Sequence, residues 1–117
     1  MSRYINLSQQ RKKDILDFLT TVKIQPVKKM RSVAKYDRDN SVIYINESVV
    51  QTLPDLLYVV AHEVAHEVWD TDSEYFCDEV ALRLANQKFF REYIKNIFPQ
   101  IYDYFTSRKS GGSSKLR

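Results

Sequence analysis

Glycine is nearly missing from this chain: of 117 residues only Gly111 and Gly112 are glycine, and both fall in the last ten. A body without glycine has no Gly-rich phosphate loop, no dinucleotide fingerprint and no nucleophile elbow, so the enzyme classes built on those turns are excluded. Cysteine is as scarce. Cys77 stands alone, which rules out an intramolecular disulfide framework and a four-cysteine zinc ribbon. Any metal site must therefore be assembled from histidine and carboxylates. Long apolar runs are absent as well. None reaches the roughly 20 residues that span a bilayer, and Met1-Ser2-Arg3-Tyr4 opens no apolar leader. A cytoplasmic protein with no membrane partner is the expectation.

What remains is ordinary globular material, 44% hydrophobic and 28% charged, with eight Tyr and six Phe for bulk. The length fits one domain, placed at residues 1–107, with 108–117 read as a disordered basic tail. The net charge of +3 is unevenly spread. Residues 1–36 hold nine Lys or Arg against Asp14 and Asp17, whereas residues 37–107 hold five against thirteen Asp or Glu. A solvated helix face and a basic strand edge account for the first third, and no base-reading motif supports a nucleic-acid partner.

The patterning predicts an α+β fold with helices on a small antiparallel sheet. Ser8 caps a backing helix over 8–21 with an apolar stripe at Ile15, Leu16, Phe18 and Leu19. Residues 23–27 are extended. Residues 32–36 pair with 42–45 across a turn in which Asp39 or Asn40 takes a positive φ. Asn46 ends that strand and starts a short helical turn. Pro54 opens a helix running to Trp69. After a break at 70–73, another helix covers 73–87, and an aromatic helix over 88–105 is kinked or split at Pro99.

The two histidines of the chain fall at 62 and 66, with Glu63 between them. Four residues apart on a helix, both imidazoles share one face and reach one ion, while Leu57, Val60, Val64 and Val68 bury the other side. Zinc suits such N and O ligands and leaves a position for water, which Glu63 can deprotonate as general base. For the third ligand Asp70, Asp72, Glu74, Asp78 and Glu79 are candidates, and Glu74 leads. It begins a helix that turns back after the break, although Thr71-x-x-Glu74 also reads as a capping box. Asp78, one turn further, is the expected partner of the second ring N–H of a ligand histidine.

His62-Glu63-Val64-Ala65-His66 followed by Glu74-Tyr75-Phe76-Cys77-Asp78 resembles the gluzincin pattern of zinc metallopeptidases, in which a downstream glutamate helix completes the site. In outline the chain is similar to the catalytic core of HtpX-type endopeptidases, and in size to the minigluzincins, small members isolated as latent proforms. The resemblance implies one zinc ion on His62, His66 and Glu74, base catalysis by Glu63, and a sheet edge that binds a peptide or protein substrate as an added strand. Val42, Ile43, Tyr44 and Ile45 are the candidate edge. It also implies an oxyanion donor, for which Tyr93, Tyr102 or Tyr104 is available, and a C-terminal segment able to cover the cleft or to form a dimer contact. Two departures from the pattern are the short interval between His66 and Glu74 and Cys77 in place of the usual Ala. The leading expectation is a zinc endopeptidase. The alternatives are a zinc-containing binding or regulatory module without turnover and, behind it, a nucleic-acid-associated protein.

Overall fold

The computed structural model describes residues 7–108. Of the tail expected at 108–117, residues 109–117 lie outside them. Arg108 belongs to the body instead: its guanidinium donates to the main-chain carbonyl of Glu47 at 3.2 Å and faces the Glu47 carboxylate at 3.4 Å.

Among the described residues, five helices and a three-stranded sheet follow in the order α1 (Gln9–Thr21), β1 (Lys23–Val27), β2 (Ala34–Asp37), β3 (Val42–Asn46), α2 (Leu53–Val68), α3 (Glu74–Leu84), α4 (Lys88–Ile97) and α5 (Pro99–Ser107). Each boundary has a local cause. Ser8, Thr52 and Ser73 each accept a main-chain N–H three residues on, capping α1, α2 and α3. Pro99 lacks the N–H that would continue α4, so of the expected kink or split the structure takes the split, into two helices.

The sheet is mixed, with strand order β1-β3-β2, and this corrects the antiparallel expectation. β2 pairs antiparallel with β3 as foreseen, but β1 pairs with β3 in parallel, Lys23 opposite Val42 and Val27 opposite Asn46. β3 is therefore the central strand, and Val42 to Ile45 offer no free edge. The edges are β1 and β2, and they are not equivalent. Lys23 N donates to Ser41 O, and Val27 O accepts from Glu47 N, so Lys23, Gln25 and Val27 spend their main-chain groups on β3 while Ile24 and Pro26 face out. Pro26 has no N–H to offer, which blunts that edge. On the other side Asn46 N donates to Val33 O at 2.9 Å. Val33, Lys35 and Asp37 thus face β3, and the main-chain groups of Ala34 and Tyr36 face outward.

The β2–β3 turn takes its positive φ at Ser41 (56°) and not at Asp39 or Asn40. Asn40 is occupied: its main-chain N–H and its side-chain amide both donate to the Asp37 carboxylate, at 3.2 and 2.8 Å. The left-handed Ser41 then directs its carbonyl to Lys23. At the far end of β3 the buried Asn46 side chain donates to the carbonyls of Met30 and Ser32 at 3.2 and 3.1 Å and accepts from Ser48 N and Oγ. It pins the loop that leads into β2.

α2 lies at the centre, with Leu56, Leu57, Val60, Ala61, Val64 and Ala65 all buried. It packs against α1, α3, α5 and the sheet. Ala61 and Ala65 on α2 and Cys77 and Ala81 on α3 are buried without bulk, which lets these two helices approach closely. Among the described residues no helix is long and apolar enough to cross a membrane.

Candidate metal centre

The end of α2 sets the geometry of the site. Trp69 is its C-cap, Asp70 adopts the left-handed conformation (φ 52°), and Thr71 N donates back to His66 O at 3.1 Å. This is a Schellman turn with aspartate where glycine is usual. Arg11 of α1 supports it, donating to Val68 O at 3.1 Å with its guanidinium 4.5 Å from the Trp69 ring centroid. The sharp reversal explains how so short a linker returns α3 to the histidines. It also aims the Thr71 carbonyl at Nδ1 of His66, 2.8 Å away. That nitrogen must carry the proton, which leaves the Nε2 lone pair free for a metal. A main-chain acceptor of this kind carries no sequence signal, and sequence reasoning missed it.

Glu74 is the first residue of α3 and its carboxylate spans both rings, Oε1 lying 3.2 Å from His62 Nε2 and Oε2 3.3 Å from His66 Nε2. The capping box with Thr71 does not form, because Ser73 caps the helix and releases Glu74. One ligand atom from each of His62, His66 and Glu74 falls within 4.8 Å of the other two. Tetrahedral zinc with bonds of about 2.0–2.1 Å sets its ligand atoms about 3.3 Å apart, and the two histidine-to-Glu74 distances, made by different carboxylate oxygens, are of that size. The Glu74 side chain is 72% exposed, leaving an entry path from solvent. Asp70, Asp72 and Glu79 stand outside this group.

Asp78 departs from expectation. It sits 3.1 Å from Nε2 of His62, the nitrogen that faces Glu74, and not behind the ring on Nδ1. Tyr58, which is not among the expected site residues, donates its hydroxyl to the same Asp78 oxygen at 2.9 Å. Burial, then the hydrogen bond to Asp78, raise the Tyr58 pKa and keep that hydroxyl a donor.

Glu63 is half-buried beside the histidines, with its carboxylate 3.9 Å from His62 Nδ1. Burial raises its pKa above the usual glutamate range, outweighing the opposing pull of the two imidazoles. A carboxylate whose pKa is raised is a stronger base than a solvated glutamate. The His66 pKa is also raised: burial alone would lower it, but the Thr71 carbonyl and the Glu74 and Glu63 carboxylates together prevail. Cys77 is the reverse case. Burial, with Glu74 and Glu63 nearby, pushes its thiol up to about 11, so it serves neither as nucleophile nor as thiolate ligand.

A cleft of about 470 Å³ runs between β2 and the metal group, walled by Val33, Ala34 and Tyr36 on one side and Tyr58, Val59 and Glu63 on the other. A second, polar hollow of about 380 Å³ shares Tyr36, Glu63 and His66 with it and extends to Glu67 and Asp72. Neither is lined by any described residue of α4 or α5. Tyr93, Tyr102 and Tyr104 are therefore away from the site, and α4 and α5 do not line the cleft. Tyr104 instead bonds Glu47. Comparison of the chain with known protein families, with characterised proteins and with solved structures finds no match.

Proposed function

We propose that this protein is a zinc-dependent endopeptidase of the gluzincin type. The observation that carries the reading is the Glu74 carboxylate spanning His62 Nε2 and His66 Nε2 at 3.2 and 3.3 Å. Zinc held there would supply a Lewis acid for a peptide carbonyl and a means of acidifying water at neutral pH. The chain's own residues do the rest. His66 is fixed in the ligating tautomer by Thr71, and Glu63, raised by burial, takes a proton from water in the cleft and returns it to the leaving amine.

β2 supplies the substrate platform. Its outward main-chain groups at Ala34 and Tyr36 border the cleft, so an extended peptide can pair with them and lie alongside the metal group. This moves the substrate strand from β3 to β2. The exposed Val33, with the buried Val59 behind it, gives the adjacent wall an apolar surface for a substrate side chain.

The test is metal content together with cleavage. The parent is expected to hold one zinc and to cleave an unfolded protein such as casein, and Glu74→Ala to lose the metal. Glu63→Gln should keep the metal and lose about 10² or more in kcat. Ala34→Pro removes an outward N–H without breaking a bond to β3, and is expected to raise KM. A parent without zinc, or cleavage that survives Glu63→Gln, refutes the proposal.

A further inference from the structure

Asp78 occupies an unusual place. Its Oδ1 is 3.1 Å from His62 Nε2, and Glu74 Oε1 is 3.2 Å from the same nitrogen. Both match the spacing of about 3.3 Å between neighbouring ligand atoms around tetrahedral zinc. Seen from His62, then, Asp78 is as near to a coordination position as Glu74. Yet the atoms that satisfy one another mutually belong to His62, His66 and Glu74, and Asp78 meets the group at one corner only.

Tyr58 keeps it there. The tyrosine precedes His62 by one helical turn on α2, its ring stacked on the imidazole at 22° with centroids 6.4 Å apart, so its hydroxyl has a defined position. That hydroxyl donates to the very oxygen of Asp78 that faces His62. The Asp78 side chain is 54% exposed, and among the described residues Tyr58 and His62 are its hydrogen-bonding or ionic neighbours. Without the tether, the carboxylate is free to follow the Coulomb attraction of a divalent cation. The consequence is large, because a fourth protein ligand turns an open zinc site into a closed, structural one.

We propose that Tyr58 is a positioning residue that holds Asp78 out of the coordination sphere, keeping the fourth position of the His62–His66–Glu74 site open. The proposal rests on the metal-site reading above and adds to it what keeps the site reactive. It predicts a reversal of the usual outcome, in which loss of an outer hydrogen bond weakens metal binding. Here removing the Tyr58 hydroxyl should strengthen it.

Zinc affinity is measured by competition with a chromophoric chelator for the parent, Tyr58→Phe, Asp78→Asn and the double variant. Each protein is also loaded with cobalt and its visible spectrum recorded before and after adding acetohydroxamate, a probe of the open position. Tyr58→Phe is expected to bind zinc about tenfold tighter, a change of the size outer-sphere substitutions produce. Its cobalt spectrum should no longer respond to hydroxamate, and the double variant should recover both parental values. Asp78→Glu, whose longer arm escapes the tether without any change in α2, should close the site in the same way and serves if Tyr58→Phe does not fold. Unchanged or weaker zinc binding with a retained hydroxamate response in Tyr58→Phe, or in Asp78→Glu where that stands in, overturns the proposal. A parent that binds neither metal instead brings down the metal-site reading itself, and the two failures are told apart by the parent alone.

Discussion

The left-handed Asp70 invites a quantitative trial. An L-residue in this conformation costs roughly 1–2 kcal/mol, less for aspartate than for a bulkier side chain. Its carboxylate makes no hydrogen bond or ion pair among the described residues, so no contact is lost with it. Asp70→Gly removes the steric cost at φ 52° but gives back about 0.5–1 kcal/mol through the extra freedom of glycine in the unfolded chain. The net expectation is a gain of about 0.5 kcal/mol, or a rise in Tm of about 2–4 °C. Asp70→Val adds a β-branched clash to the same backbone and should cost about 1–2 kcal/mol relative to the parent. Urea unfolding followed by circular dichroism measures both, with an unchanged m-value as the sign that the unfolded state is comparable. Because the turn delivers the Thr71 carbonyl to His66, the valine variant should also bind zinc more weakly. Equal stabilities for the glycine and valine variants would refute the reasoning.

Two further expectations concern the frame of the cleft. Asn46→Ala removes four hydrogen bonds around a buried side chain and strands the carbonyls of Met30 and Ser32; a loss of about 2–3 kcal/mol in urea unfolding is expected, together with protease nicking in residues 28–33. At the β2–β3 turn, the Asn40 side chain and then its main-chain N–H hold the Asp37 pKa below the usual aspartate value. A depressed carboxylate stabilises the folded state above its unfolded pKa, and that contribution fades as pH falls through the folded pKa. The stability difference between the parent and Asn40→Ala should therefore shrink below about pH 3.8, the ordinary aspartate value, and NMR titration should find Asp37 shifted upward in the variant.

Much of the site could be read from the chain because helical periodicity is a local rule. His62 and His66 share a face by spacing alone, and their apolar opposite side fixes which way the face points. Glu74 was reachable as well, since a break rich in capping residues announces a reversal. The sheet was harder. Alternation tells which side of a strand is buried, not which strand lies beside it, so nothing in Lys23–Val27 announced a parallel partnership with β3. That one unread pairing moved the open edge from β3 to β2. The contact between Tyr58 and Asp78 escaped for another reason: twenty residues apart on two helices, they meet only once the interhelical approach is known. The Thr71 carbonyl belongs to the main chain, where residue identity is silent.

The Schellman turn also bears on the order in which the molecule assembles. The pairs that build the metal group lie close along the chain, five residues apart for His66 and Thr71 and twenty for Tyr58 and Asp78. Loops this short close within a fraction of a microsecond, and local contacts form early in folding. Arg38 and Glu67, which tie the β2–β3 turn to α2, are twenty-nine residues apart. The α2–α3 hairpin can thus gather His62, His66 and Glu74 before Arg38 ties it to the β2–β3 turn, and a metal ion held there would bind the hairpin together as a folding nucleus.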